Sequence, residues 1–179
     1  MSESALIVVV SEAEARVQAL RKRYDPVAVL GVPAHITIIY PFIPPEVFRP
    51  CDHASLEELF AHVDPFEFAL ADVRRFPQAT YVAPNPAAPL VDLTEPVVSR
   101  FPQYPPYGGR FAEVIPHLTV ADKSEAHARE AEAELTSIIA ELGPIAATCS
   151  HVDLYESTTG SWAQKVRSGL GSCLTQVCS

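Results

Sequence analysis

The sequence predicts a mixed helix-and-strand protein built from two similar halves that meet at their centre. Three observations carry this. A four-residue pattern, His, apolar, Thr, apolar, occurs twice, as His35-Ile36-Thr37-Ile38 and as His117-Leu118-Thr119-Val120. Both copies lie in runs of strand character, HITIIY and HLTVA. Around them one order of elements repeats about 80 residues apart: a His strand, a helix, then strands near 66–76 and 80–83 in the first half and near 145–155 and 161–166 in the second. A duplication of this kind, with a pseudo-twofold axis, brings the two His strands together.

The elements follow in chain order. Ala5 to Val10 is a continuous apolar run, the mark of a strand buried on both faces. Ser11 and Glu14 have the spacing of a capping box and open a helix to Tyr24, with Val17 and Leu20 inward. Pro26, Gly31 and Pro33 mark a loop into the first His strand, which ends at Tyr40-Pro41. A helix from Asp52 to His62 places Leu56, Leu59, Phe60 and Val63 on one side.

Two strands follow, Phe66 to Phe76 and Thr80 to Ala83, with Pro77-Gln78 at their turn. Asn85-Pro86 reads as a helix start, and Leu90, Leu93, Val97 and Phe101 give the stripe of that helix, which Pro96 should kink or break. PQYPPYGG, residues 102–109, is a loop leading into the second His strand. Asp122 with Glu125 forms a second capping signature, and the helix it starts stops at Gly143-Pro144. Strands at Ile145 to Tyr155 and Ser161 to Val166 close the pattern. Gly169 to Ser179 has no period and reads as a poorly ordered tail.

At 179 residues the chain can bury one sizeable core, or two small lobes sharing one. Its formal net charge of −9 gives no broad positive field to hold long nucleic acid, so DNA is not an expected partner, whereas a small phosphorylated ligand in a local polar cleft is. Cys51, Cys149, Cys173 and Cys178 form no CxxC pair and no metal-binding spacing, which suits free thiols in a reducing compartment. The apolar start is too short to span a membrane and lacks the basic flank of a signal peptide. The expectation is a cytoplasmic protein with no membrane partner, acting as a monomer.

On a strand, alternate side chains share a face, so His35 and Thr37 point one way while Ile36 and Ile38 point the other. The same holds for His117 with Thr119. Imidazole titrates near neutral pH, so one His can take a proton from an attacking hydroxyl while the other gives one to a leaving oxygen. The Thr37 and Thr119 hydroxyls can then steady the charge that builds on a phosphate between them. The scheme calls for no metal and no cofactor. A single HxT pattern occurs readily in half-buried strands; its recurrence at matching positions points to paired acid–base work.

HITI and HLTV at this separation resemble the paired signatures of the two-histidine (2H) phosphoesterases, and TYVAP with PPYGGRFAEVIPHLTVA is similar to the bacterial 2′–5′ RNA ligase-like branch. The resemblance covers Ala5 to Arg167. It implies an α+β fold, bilobal and pseudo-symmetric, with two antiparallel sheets around a central cleft and helices outside, as a single domain over 1–179. It also implies metal-independent hydrolysis of 2′,3′-cyclic phosphates on nucleotides or RNA ends, with reversible 2′–5′ ligation as a further activity. By motif, His35 and His117 become the acid–base pair and Thr37 and Thr119 the phosphate ligands.

Arg110, Tyr40 and Tyr81 are further candidates for holding substrate, the first because its loop enters the second His strand, the others as stacking residues. Arg74, Arg75, Lys165 and Arg167 are the remaining basic residues near the motifs in pattern. His53, His62, His127 and His151 lie off-motif and read as surface or core residues. The alternative to an enzyme is a module that binds a nucleotide or RNA end in the same cleft without turnover.

Overall fold

The computed structural model describes residues 2–111 and 113–171. Eight strands form an antiparallel sheet: β1 (Glu3–Val9), β2 (His35–Ile39), β3 (Phe66–Arg75), β4 (Ala79–Asn85), β5 (Leu118–Asp122), β6 (Ile145–Cys149), β7 (His151–Ser157) and β8 (Trp162–Gly169). Their order across the sheet is β6-β3-β4-β5-β2-β1-β7-β8. The helices are α1 (Ser11–Tyr24), α2 (Pro26–Val29), α3 (Pro50–Ala61), α4 (Ala88–Arg100) and α5 (Glu125–Leu142), with a 3-10 turn at Pro106–Gly109.

The order contains the expected symmetry. Two four-stranded halves, β6-β3-β4-β5 and β2-β1-β7-β8, meet where β5 pairs with β2 at Ile36 and Leu118. In each half a strand, a helix and a His strand come in sequence: β1-α1-β2 and β4-α4-β5. The chain then crosses over, so that β3 joins the β4–β5 half while β7 and β8 join the β1–β2 half. Sheet position therefore equates β3 with β7 and β4 with β1. The repeat begins one strand earlier than the element order alone suggests. The helices cross as well: α1 lies against β5 and α5, whereas α4 lies against β2 and α3.

The core forms on the helix side. Leu6, Val8, Ile36, Ile38, Val82, Leu118 and Val120 share one buried cluster with Val17 and Leu20 of α1 and Leu90, Leu93 and Val97 of α4. Each is an alternate position on its strand or lies at helical spacing, so the apolar half of each HxT motif is anchored in this core. A smaller cluster forms on the opposite face, where Ala5 and Ile7 meet Val32, with Tyr40, Tyr155 and Trp162 against them. The first strand is thus covered on both faces, as its unbroken apolar run implies.

Several local expectations are corrected. Glu14 closes no capping box: α1 has Val10 at its N-cap with no side-chain hydrogen bond, and Glu14 Oε2 instead accepts from the Ala34 backbone N–H at 2.7 Å. The predicted loop after Tyr24 contains the short helix α2, capped by Asp25, which accepts from the Val27 N–H. Asn85 ends β4, and α4 starts at Ala88. Pro96 lies inside α4 without ending it, since the carbonyl it leaves free belongs to exposed Asp92 and can bond water. Asp122 closes β5, and α5 is capped by Ser124, which accepts from the His127 N–H at 3.3 Å. The run Ile145 to Tyr155 is two strands split at Ser150, because β6 pairs with β3 and β7 with β1 and β8. Of the predicted tail, Gly169 ends β8, and Leu170 is buried with its N–H on Ser150 O; residues 172–179, with Cys173 and Cys178, lie outside the described residues. Cys51 is exposed and Cys149 buried, both as free thiols.

A buried ion pair braces the approach to the first His strand. Arg21 donates from Nε (3.0 Å) and Nη2 (2.8 Å) to Asp25 Oδ2, and from Nη1 to Val32 O at 3.1 Å. Both side chains are 2% exposed. Removing one member strands the other charge without solvent, so Asp25→Ala is expected to cost about 3–5 kcal/mol in urea unfolding. A loss below about 1 kcal/mol would show that the pair is not sealed.

Candidate active site

The antiparallel pairing of Ile36 with Leu118 determines the arrangement of the two motifs. One step to either side, the register sets His35 beside Thr119 and Thr37 beside His117, all on the face opposite the core. Each imidazole thus neighbours the hydroxyl of the other motif. The apolar members are fully buried and the four polar ones half-buried, which is the alternation the sequence predicts.

Both imidazoles are held in the same way. His35 Nδ1 lies 2.8 Å from Pro33 O, and His117 Nδ1 lies 2.6 Å from Ile115 O. A carbonyl can only accept, so Nδ1 carries the hydrogen in both rings and Nε2 is left for chemistry. The residue before His35 is clamped at both backbone groups: Ala34 N–H donates to Glu14, and Ala34 O accepts from Val10 N–H at 2.8 Å.

Their electrostatic surroundings differ. Burial pushes the His35 pKa down to about 4; the Pro33 carbonyl opposes this, and the charges of Arg21 and His117 add to it. Burial also lowers the His117 pKa, but the Ile115 carbonyl and the Asp122 carboxylate pull it back up. Asp122 itself is raised by burial and drawn down by His117. One histidine therefore sits near positive charge and the other near a carboxylate.

A cavity of about 520 Å³ opens beside the second motif. His117, Thr119 and Asp122 line it together with Phe76, Tyr107 and Phe111. The His117 ring sits 5.3 Å from Phe76 and 5.1 Å from Tyr81, which itself stacks on Phe76 at 4.5 Å. Tyr107 joins the two motifs: it lines this cavity while its phenol lies beside the Thr37 hydroxyl. Its backbone takes the left-handed region at φ 53°, costly for a residue with a Cβ, and its N–H donates to Tyr40 O at 2.6 Å.

The structure thus gathers His35, Thr37, His117, Thr119 and Tyr81. Of these, only His117 and Thr119 line the cavity; His35, Thr37 and Tyr81 lie outside its lining, as do the other substrate-binding candidates. Arg110 is exposed and is not among the cavity's lining residues. Tyr40 faces Trp162 at 6.2 Å within the small apolar cluster. Arg74 is engaged by Asp72, Arg75 by Glu132, Lys165 by Glu156, and Arg167 by the buried Asp153. Of the off-motif histidines, His53 lies near Glu57, His127 against Tyr24, and His151 near Asp153, while His62 ends α3.

The sequence matches the family profile described as the 2′-5′ RNA ligase superfamily over residues 9–161. The chain belongs to the 2′-5′ RNA ligase superfamily. Solved structures agree on the fold. E. coli LigT complexed with 3′-AMP aligns with a TM-score of 0.60 at 16% identity, covering 94% of this chain and 98% of that one. E. coli LigT complexed with NADP+ gives 0.57 at 15%, covering 94% and 97%. TT0787 of Thermus thermophilus gives 0.59 at 15%, covering 94% and 98%. No curated protein matches the sequence. Membership of the 2′-5′ RNA ligase superfamily, with its two-histidine phosphoesterases, supports enzymatic action on phosphodiester bonds. Among the described residues, no helix is long and apolar enough to cross a membrane.

Sequence reasoning for this superfamily member misses four residues. Asp122 reads there as a helix cap, and Glu14 as part of another. Phe76 reads as a strand end, and Phe111 falls between the predicted loop and the second His strand with no role of its own. None carries a local signal: strict alternation would turn Asp122, three residues beyond Thr119, to the opposite face, and the register shift between β4 and β5 at Thr80 and Tyr81 undoes that alternation. The histidine geometry has a direct check. In nitrogen-15 spectra both rings are expected as Nδ1–H tautomers, with His35 titrating near pH 4 and His117 below its ordinary 6.5. Nε2–H tautomers, or a His35 titrating above 6.5, would contradict the assignment.

Proposed function

We propose that the protein hydrolyses 2′,3′-cyclic phosphates carried by nucleotides or RNA ends, with His35 as general base and His117 as general acid. The observation that supports this reading is the register at Ile36 and Leu118, which makes the two His-x-Thr motifs neighbours on one face of the sheet. His35 is neutral at working pH, so its Nε2 can accept a proton from water. The water oxygen attacks phosphorus, and the bond to one ribose oxygen breaks. His117 donates its Nε2 proton to that oxygen, and Asp122 favours the protonated imidazole needed beforehand. Thr37 and Thr119 donate to the non-bridging oxygens as their charge grows.

With a ribose 5′-hydroxyl in place of water, the same step forms a 2′–5′ linkage, and its reverse opens one. The symmetry suits this reversal, since each imidazole can serve in either direction. Nucleotide ligands in E. coli LigT, such as 3′-AMP, are of the size this reading requires. Arg21 is a positioning residue here: its charge adds to the burial that keeps His35 unprotonated, and its bond to Val32 O holds the segment that enters β2.

Turnover of 2′,3′-cyclic nucleotides in EDTA tests the reading. His35→Ala and His117→Ala, folded by circular dichroism, are each expected to lose about 10²–10⁴-fold. The profile of kcat/KM against pH should be bell-shaped, rising as His35 deprotonates near pH 4 and falling as His117 loses its proton below 6.5. Its maximum therefore lies on the acid side of neutral. Tight nucleotide binding with no product, from wild type, would replace the enzyme by a binding module.

A further inference from the structure

We propose that the cavity beside His117 takes the base of a single nucleotide and rejects a further phosphate, so that the preferred substrate is a mononucleotide rather than an RNA end. This rests on the cyclic-phosphate reading and adds to it the size of the substrate. Three features of the cavity support it. Its volume of about 520 Å³ falls in the range of small-molecule sites. Its walls are chiefly apolar, and Phe111 offers a ring on which a base of any identity can stack, while Phe76 is itself stacked on Tyr81. Phe111 is 64% exposed, a large apolar surface left open at the cavity.

The third feature is charge. The cavity carries the carboxylates of Asp122 and Glu113, and no lysine or arginine lines it among the described residues. A phosphate bound at the two motifs leaves the cavity free for a base. A second phosphate on the same chain that entered this cavity would meet the carboxylate of Glu113, whose side chain is exposed. Proteins that hold nucleic-acid chains do the reverse, placing Lys and Arg along the phosphate path. The net charge of −9 adds a repulsive background of the same sign. Arg110, next to Phe111 in the chain, is the nearest cation in sequence and lies outside the lining.

The sign of the salt dependence separates the two substrate sizes. Where Lys and Arg hold a chain, salt weakens binding; where carboxylates repel it, salt screens the repulsion and strengthens binding. Calorimetry with wild-type protein and two unreactive ligands, adenosine 3′-monophosphate and a tetranucleotide ending in the same 3′-phosphate, needs no turnover. The mononucleotide is expected to bind at least tenfold more tightly at low salt, and high salt or Glu113→Gln should narrow that gap. Phe111→Ala, at an exposed position, should weaken mononucleotide binding about tenfold. A tetranucleotide that binds as tightly as the mononucleotide and weakens with salt would overturn the proposal, as would no binding of either ligand. Selective mononucleotide binding without turnover of any cyclic phosphate would leave the size selection standing and remove the catalytic reading.

Discussion

The candidate site depends on a narrow antiparallel contact. β2 and β5 pair at Ile36 and Leu118, and that pair is what turns two separate strands into one site. Because a strand alternates its faces, anchoring these two apolar residues in the core turns His35, Thr37, His117 and Thr119 to the other side. A slip of one residue would bury the imidazoles and expose the isoleucines. The apolar half of each motif is therefore as much a part of the site as the polar half.

Near-symmetry in the backbone coexists with asymmetry in charge. Both rings give Nδ1–H to the carbonyl two residues earlier, so neither tautomer nor orientation distinguishes them. The neighbours do. Arg21, buried with Asp25 under the loop that leads to β2, sits on the His35 side, and Asp122 at the end of β5 sits on the His117 side. Acid and base work needs two groups with different proton affinities, and a duplicated backbone supplies identical ones until its surroundings diverge. Here burial lowers both pKa values, and one guanidinium and one carboxylate push them apart.

The two sides of the cleft differ as well. Beside His117 an aromatic cavity is left open, whereas beside β1 the small cluster of Ala5, Ile7 and Val32 is closed over, with Tyr40 and Trp162 packed against it. This explains why two tyrosines with similar sequence settings fare differently: Tyr81 touches the His117 ring, and Tyr40 contributes its carbonyl to Tyr107 and its ring to the closed side. Tyr107, in a left-handed conformation between the motifs, belongs to a segment that reads in sequence as a Pro- and Gly-rich loop.

What is legible in the sequence is local or periodic. The HxT alternation, the buried first strand, the helical stripes and the duplicated order all follow from which residues can share a face, and that is a property of neighbours along the chain. Glu14 and Asp122 mark where such reasoning ends. Each has good capping spacing, yet Glu14 bonds Ala34 and Asp122 faces His117, because a carboxylate goes to whichever donor or charge the fold brings nearest. The splitting of Ile145 to Tyr155 between opposite halves of the sheet is of the same kind, since pairing partners lie far away in sequence. Residue order alone singles out the side chains that carry the candidate chemistry and the strand face they share. Long-range packing decides which imidazole sits near positive charge, which near negative, and on which side a cavity stays open, because those depend on burial and on charges contributed by distant elements.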